Sequence, residues 1–331
     1  GSTYADNGLA HNDVITCRLT SSVSCAVPDT VLSNTLTMTV TPTVTPSVSI
    51  AANPGTSICS GTPVTFTATS VNEGLSPAYQ WRKNGTAVGT GPMYSDNGLA
   101  HNDVITCELT SSAACATPAT TTSNVLTMSV TPTVTPSVSI AANPGTTICS
   151  STPVTFTATA LNGGASPAYQ WRKNGTAVGT GPTYADNGLA NIDVITCTLT
   201  SNAACANPTT ATSNALTMTV NPTVTPSVSI AANPGTSICG GTPVTFTATP
   251  VNGGASPVYQ WRRNGTNVGT GPTYTDNGLA NNDVITCQLT SGNACAVPTT
   301  ATSNTLTMSV TPTVTPSVSI LANPGTSICS G

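Results

Sequence analysis

The sequence has very little charge. Only 5 % of its 331 residues are Asp, Glu, Lys or Arg, and the formal net charge is −4 at pH 7. Proteins that bind nucleic acid carry clusters of Lys and Arg, so this composition excludes a nucleic-acid partner. Long apolar runs are also missing. Because a spanning helix needs about 20 consecutive apolar residues, no membrane span is predicted in this segment.

Histidine is nearly absent as well. His11 and His101 are the only two, and the equivalent positions further along the chain hold Asn191 and Asn281. A hydrolytic Ser or Thr needs a base within hydrogen-bond reach, and the sequence offers none. We therefore expect no enzymatic activity, no catalytic residues and no cofactor.

Aromatic residues make up only 4 % of the chain, but their placement shows its organisation. The three tryptophans, Trp81, Trp171 and Trp261, stand 90 residues apart, each in a nearly identical stretch that runs from Pro77 to Thr86 in its first copy. A period of 90 is too long for solenoid repeats and matches a self-contained domain. Each Trp is predicted to anchor the core of one domain.

Within one period, the pattern of residues is that of short β-strands. Val64, Phe66 and Ala68 alternate with threonines, and Asn84-Gly85 is typical of a two-residue hairpin turn. About seven such strands, with turns every 8 to 12 residues and no helical periodicity, predict an all-β fold of antiparallel two-sheet sandwiches.

The spacing of the strands refines this prediction to immunoglobulin-like sandwiches. Trp81 follows the second strand, and Cys107 lies on the penultimate strand, as in antibody domains. Ala68 stands where those domains carry the first cysteine of their bridge between sheets, so Cys107 lacks its usual partner.

The repeat divides the chain into five predicted segments. They are a partial repeat with C-terminal strands only (1–46), three complete repeats (47–136, 137–226 and 227–316), and the first strand of a further repeat (317–331). Because the chain begins and ends inside a repeat, we expect it to be a window from a longer array. The prolines of each linker, such as Thr131–Pro136, favour an extended connection and repeats arranged end to end.

Several motifs resemble those of a known repeat family. They are the run Ser57–Thr69, the strand Tyr79–Gly85, the run Asn102–Cys107, and Cys115. Together they are similar to the tandem immunoglobulin-like repeats of very large cell-surface proteins of Bacteroidota, including gliding-motility-associated adhesins exported by type IX secretion. The resemblance covers essentially the whole chain. It implies a secreted, surface-attached, elongated and non-enzymatic protein, and it identifies no ligand.

Twelve cysteines recur as three per period, which fits an oxidising extracellular setting. Two pairings inside a repeat rank first and equal, Cys107 with Cys115 and Cys59 with Cys107. A bridge between repeats, such as Cys59 with Cys205, ranks behind them. The same candidates recur in the later repeats as Cys149, Cys197, Cys205, Cys239, Cys287 and Cys295.

One cluster of oxygen-bearing side chains recurs in every complete repeat. Asp96, Asn97 and Asp103 would suit a calcium ion, which prefers clustered oxygen ligands. A turn at Asp96-Asn97-Gly98 with a surface ion pair or cap at Asp103 is the simpler interpretation, and no metal site is assigned.

The sequence thus supports two functional hypotheses. In the favoured one, the repeats build an extracellular, cell-surface structural or adhesive filament, whose partners are neighbouring repeats and identical chains. In the alternative, each repeat is a ligand-binding module for glycan or calcium, and the array gains by multivalency. The loop Val71–Ser76 and the outward position Glu108 vary freely between repeats, which favours the filament.

Overall fold

The computed structural model describes residues 1–321, and all regular structure in them is β-strand. The chain forms two compact units. The first comprises Gly1–Pro136 together with the loop segments Asn162–Pro167 and Ser201–Thr210, and the second comprises Ser137–Leu161, Ala168–Thr200 and the chain from Ala211 on.

Each complete repeat contains ten strands, which we number β1 to β10 within the repeat. The first five are β1 (Ser47–Asn53, Ser137–Asn143, Ser227–Asn233), β2 (Ser57–Cys59, Thr147–Cys149, Ser237–Cys239), β3 (Val64–Val71, Val154–Leu161, Val244–Val251), β4 (Ala78–Lys83, Ala168–Lys173, Val258–Arg263) and β5 (Thr86–Thr90, Thr176–Thr180, Thr266–Thr270). The second five are β6 (Met93–Asp96, Thr183–Asp186, Thr273–Asp276), β7 (Val104–Thr110, Val194–Thr200, Val284–Thr290), β8 (Thr120–Thr122, Thr210–Thr212, Thr300–Thr302), β9 (Leu126–Thr127, Leu216–Thr217, Leu306–Thr307) and β10 (Ser129–Thr131, Thr219–Asn221, Ser309–Thr311).

The strands of a repeat form two antiparallel sheets and one parallel pair. One sheet has the order β1-β3-β6, and the other has the order β5-β4-β7-β8, with β9 also paired to β7. Strand β2 pairs in parallel with β10, so that Ile58 lies opposite Val130. This strand order is that of an immunoglobulin-like sandwich, and the fold class predicted from the sequence is confirmed.

The core of each repeat is built around a Trp from one sheet and a Phe from the other. Trp81 and Phe66 are completely buried, and Tyr94 stacks on Phe66 with ring centroids 5.9 Å apart. The indole Nε1 of Trp81 donates a hydrogen bond to the carbonyl of Gly91 at 2.9 Å, so its polar atom is satisfied inside the core. Gly89 has no side chain to displace the Tyr94 ring, which would lie 3.1 Å from a Cβ atom there.

A side chain joins the two sheets at the edge of the core. The Oδ1 atom of Asn124 accepts a hydrogen bond from the Ile50 amide at 2.7 Å, and its Nδ2 atom donates to the Ile50 carbonyl at 3.1 Å. Ser123 Oγ accepts a hydrogen bond from the Cys107 amide at 3.0 Å. Asn124 lies between β8 and β9 in the sequence. Its side chain satisfies the amide and the carbonyl of Ile50 on β1, which pair with no strand.

The incomplete repeats at the two ends form fewer strands. Residues 1–46 contain four short strands, Val14–Ile15, Arg18–Thr20, Thr30–Leu32 and Leu36–Thr37. Within the predicted first strand of a further repeat, 317–331, the described residues Ser317–Leu321 form no strand. In the complete repeats the equivalent strand, β1, is paired along its length with β3. The rest of that predicted strand lies outside the described residues.

Residues 1–321 include no helix of sufficient length and apolarity to cross a membrane.

Replacing the central Trp should unfold the repeat that contains it. We expect Trp81→Ala to lower the stability of residues 47–136 by about 3 to 5 kcal/mol, because the cavity is lined by rings that cannot collapse onto one another. The measurement is urea unfolding followed by hydrogen exchange of peptides from each repeat. Leu75→Ala is the matched control, since Leu75 is fully exposed in the same repeat. Unchanged protection of residues 47–136 in Trp81→Ala would refute this role for Trp81.

Candidate functional site

The structure forms two disulfide bonds, and both connect consecutive repeats. Cys59 is bonded to Cys205, and Cys149 is bonded to Cys295. Each bond joins the end of β2 in one repeat to the loop between β7 and β8 in the next repeat along the chain. The first bond lies within the first compact unit and the second within the second unit.

The pairing of β2 with β10 places Cys59 beside the linker that leaves its own repeat. Cys59 lies opposite Thr131, and the Ser60 amide donates a hydrogen bond to the Thr131 carbonyl at 2.9 Å. The chain then turns at Gly61, whose φ of +81° suits glycine. Cys59 is thereby held at the point where the chain passes from one repeat to the next.

The loop between β7 and β8 brings Cys205 to the same linker. The Val134 amide donates to the Cys205 carbonyl at 3.0 Å, and the Asn207 amide donates to the Val134 carbonyl at 2.9 Å. These two bonds form a parallel bridge between Val134 and Ala206. Cys205 itself has a positive φ of 59°. The linker is therefore held by backbone hydrogen bonds next to the disulfide.

A second loop of the following repeat also contacts the linker. The Asn162 side chain donates from Nδ2 to the Thr135 carbonyl at 2.9 Å, and the Asn162 carbonyl accepts a hydrogen bond from Ser201 Oγ at 2.6 Å. Asn162 thus connects the linker with the loop that carries Cys205. We call the disulfide, the Val134 bridge and the Asn162 contact together the joint.

The joint recurs in the second unit with the same geometry. Val224 exchanges hydrogen bonds with Cys295 and Val297, both at 2.9 Å, and Asn252 Nδ2 donates to the Thr225 carbonyl at 2.9 Å. The same backbone contacts also form at the start of the first complete repeat, around Val44, where the thiol of Cys115 is free. The backbone part of the joint therefore does not require the disulfide.

Both favoured cysteine pairings inside a repeat are wrong. Cys107 is fully buried on β7, opposite Trp81, and its thiol is free, as are the thiols of Cys197 and Cys287. Cys115 lies beyond the end of β7 in an exposed loop, away from the buried face where Cys107 points. Cys59 leaves its own core on β2 and meets the next repeat instead. Cys239 is exposed and free within residues 1–321.

Burial makes the core thiols chemically inert. Desolvation raises the pKa of Cys107 to about 11, and it also raises the pKa values of Cys197 and Cys287. Because the thiolate is the reactive form, these cysteines behave as small apolar core residues.

Three charged residues of each repeat form a second cluster, which we call the charge cluster. Lys83 Nζ lies 2.7 Å from Asp96 Oδ2 and 4.0 Å from Asp103 Oδ2. Asp96 also accepts hydrogen bonds from the Gly98 amide at 2.7 Å and from the Tyr94 hydroxyl at 2.8 Å. The hairpin between β4 and β5 is thus tied to the loop between β6 and β7.

Asp103 is the most buried member of the charge cluster. Its side chain accepts hydrogen bonds from the Ala100 amide at 2.8 Å and from Asn84 Nδ2 at 2.7 Å, while Asn84 Oδ1 accepts from the Val104 amide at 2.9 Å. Asn84 therefore does more than turn the hairpin, because its side chain spans β4 and β7. The Asn-Gly pattern predicted the turn but gave no sign of this contact.

The pKa values of the cluster follow from these contacts. Burial alone would raise the pKa of Asp96, but hydrogen bonds from Lys83, Gly98 and Tyr94 outweigh it, and the pKa is lowered. The Ala100 amide lowers the pKa of Asp103, and the hydrogen bond to Asp96 raises the pKa of Lys83. Burial, and then the Asp96 carboxylate, raise the pKa of Tyr94 to about 12.

The contacts of Asp96 and Asp103 disfavour calcium binding at this cluster. The Lys83 ammonium lies between the carboxylates of Asp96 and Asp103, and their oxygens accept hydrogen bonds from protein donors. Asn97 is exposed and makes no side-chain hydrogen bond to the cluster. Among residues 1–321, no three His, Cys, Asp or Glu side chains converge in a way that could hold a metal ion. The geometry favours a structural ion pair.

Sequence reasoning overlooked the residues that hold the linker. The valine recurs as Val44, Val134 and Val224, and the asparagine as Asn72, Asn162 and Asn252. The asparagine stands in a loop in which several other positions vary between repeats. The recurrence of the asparagine in this loop is the sequence signal that could have pointed to its contact with the linker.

Chemical labelling can check the cysteine assignment. In unreduced, folded protein we expect a thiol-alkylating reagent to modify the exposed Cys115 and Cys239 rapidly. Cys107, Cys197 and Cys287 should react only after unfolding, because they are buried and a raised pKa keeps the Cys107 thiol protonated at pH 8. Peptide mass spectrometry measures the result. Labelling of Cys59 or Cys205 before reduction would contradict the bridge between them.

The charge cluster should make stability depend on acid. The pKa values of Asp96, Asp103, Asp186 and Asp276 are lowered in the folded chain. As the pH falls, the unfolded chain therefore takes up protons before the folded chain does. The stability that these carboxylates contribute above their unfolded pKa of about 4 is lost as the pH falls through their folded pKa values. Urea unfolding between pH 6 and pH 2 should show this decline.

The matched control is Asp96→Asn, which removes one titrating group and keeps its shape. We expect a lower stability at pH 6 and a shallower decline towards pH 2 for the repeat 47–136. A decline as steep as that of the unmodified repeat would contradict the role given to Asp96.

Comparisons with known proteins add little to this description. No protein-family model matches the sequence, and no curated protein matches it. Among solved structures, the chain is similar to the three N-terminal domains of the Highly Immunogenic Outer Capsid protein (Hoc) of bacteriophage RB49. That similarity has 12 % sequence identity and a TM-score of 0.34, and it covers 81 % of this chain and 99 % of that chain. A TM-score this low supports no conclusion about this chain, whose immunoglobulin-like fold rests on its own strand order.

Proposed function

We propose that this chain is part of a non-enzymatic extracellular fibre, in which tandem immunoglobulin-like repeats serve as structural and adhesive units. The observation that carries the proposal is the joint. Cys59–Cys205 and Cys149–Cys295 connect each repeat covalently to the next, in addition to the peptide linker. Such a connection is of use to a protein whose task is to keep repeats attached to one another.

The disulfides also support an extracellular location. Disulfide bonds form and persist in oxidising compartments and are rare in the cytosol. The resemblance to surface repeat proteins of Bacteroidota points the same way, and it implies export by type IX secretion and attachment to the cell surface. In such a setting, identical chains and neighbouring repeats are the expected partners.

The use of polar and aromatic groups inside each repeat supports a structural role over a binding role. Trp81 is fully buried and therefore cannot offer its ring to a sugar. The charges of Lys83, Asp96 and Asp103 are paired with one another. A ligand-binding array for glycan or calcium would need, in every repeat, a cluster of polar groups that are not already paired with one another. The loop Val71–Ser76, which varies between repeats, does not provide such a cluster.

Electron microscopy of the native, unreduced material is the experiment that tests this proposal. Antibodies raised against residues 47–316 should label filaments on the surface of intact cells. We expect those filaments to keep their form when a calcium chelator is added, because each carboxylate pair contacts Lys83 or its counterpart instead of a metal. Reductant should weaken the filaments, since it cleaves the joints.

Filaments that collapse on chelation and recover with calcium would favour the ligand-dependent module array instead. Labelling confined to the cytoplasm would overturn the extracellular proposal altogether.

A further inference from the structure

The two disulfide bonds enclose overlapping stretches of the chain. Each spans 146 residues in sequence, whereas the repeat period is 90 residues. The closed loop from Cys59 to Cys205 therefore shares residues 149–205 with the closed loop from Cys149 to Cys295. Every peptide bond between Cys59 and Cys295 lies inside at least one loop, and those between Cys149 and Cys205 lie inside both.

This overlap depends on the joint and would not arise from bridges inside a repeat. A bond between Cys107 and Cys115 would enclose only the loop after β7, and a bond between Cys59 and Cys107 would leave most of β8 to β10 and the linker outside. Only a bridge whose span exceeds the period leaves no gap between successive loops. The connection of β2 to the next repeat meets this condition.

We propose that the overlapping bridges keep the array covalently continuous after its backbone has been cut. A single cleavage anywhere between Cys59 and Cys295 opens one or both loops, but the two fragments stay joined by the disulfide that spans the cut. The chain is thus tolerant of nicks in its exposed loops, where proteases preferentially act. Leu75, which is fully exposed in the loop between β3 and β4, lies within the protected range.

The same overlap limits how far the chain extends under tension. With both bridges intact, the shortest covalent path from Cys59 to Cys295 crosses to Cys205, returns to Cys149 and crosses again, a path of 56 residues instead of 236. At about 3.5 Å per extended residue, the limit is about 200 Å instead of about 830 Å. Unfolding of a repeat under load therefore releases only a fraction of its chain.

This inference extends the proposed function and in that respect rests on it, because covalent continuity would matter most to a fibre exposed to proteases. Its test uses the purified chain, however, so the two can fail separately. Fibres could be absent while nick tolerance holds, or fibres could form while fragments separate.

The test places one protease recognition sequence at equivalent exposed positions, in four separate variants of the full chain. The insertions follow Asn97, which lies inside the first loop only; Asn187, inside both; Asn277, inside the second only; and Asn7, outside both. After cleavage, free thiols are alkylated and the products are separated in SDS without reductant. We expect the first three variants to migrate as one species and the Asn7 variant to separate into two.

Reductant should release the fragments in all four variants. Combining the Asn97 insertion with Cys59→Ser and Cys205→Ser should release its fragments without reductant, while the same pair of substitutions should leave the Asn277 variant joined through Cys149 and Cys295. Separation of the Asn97, Asn187 or Asn277 fragments in unreduced SDS would overturn the proposal.

Single-molecule stretching provides an independent readout. We expect the fully extended length between Cys59 and Cys295 to rise about fourfold when the chain is reduced, in proportion to the two path lengths of 56 and 236 residues. Equal extension before and after reduction would show that the bridges do not form the overlapping loops.

Discussion

Each repeat depends on the burial of one Trp between two sheets that have few other aromatic side chains. Trp81 contacts Phe66 and Tyr94 across the sandwich, and Gly89 leaves space for the Tyr94 ring. The Tyr94 hydroxyl donates to Asp96, so the aromatic core is connected directly to the charge cluster at its edge. In a chain with 5 % charged residues, half of the charged side chains belong to these charge clusters. The core therefore determines where the charges lie.

Strand β2 of one repeat and two loops of the next, those after β3 and β7, connect consecutive repeats. Strand β2 pairs with β10 and places Cys59 beside the linker, and the loop after β7 of the next repeat brings Cys205 to the same place. The Val44 contacts form beside a free Cys115, so the backbone hydrogen bonds of the joint form without the disulfide. A disulfide in this position restricts the unfolded chain more than the folded one.

The parts of this structure that could be predicted from sequence are those governed by local pattern. Alternation in Val64–Ala68 gives a strand with one buried face, and the recurrence of Trp81 gives one core per 90 residues. The spacing of the strands also placed Cys107 on the penultimate strand and showed that its usual partner is missing, but it did not show that the thiol has no other partner. The pairing of Cys59 depends on β2 leaving its sheet to join β10, a choice set by tertiary contacts across 72 residues of sequence. The contact of Asn162 with the linker likewise joins loops that are distant in sequence.

The stability of the array and its continuity have separate physical sources. Small sandwiches with one aromatic cluster open locally more easily than large domains do, and the joint does not enlarge their cores. The joint acts on the chain after a repeat has unfolded. A repeat that unfolds remains attached to its neighbours at both cysteines as well as through its linkers, so its ends stay close and the entropy lost on refolding is smaller. Because the span of each bridge exceeds the repeat period, this constraint passes from one complete repeat to the next without interruption.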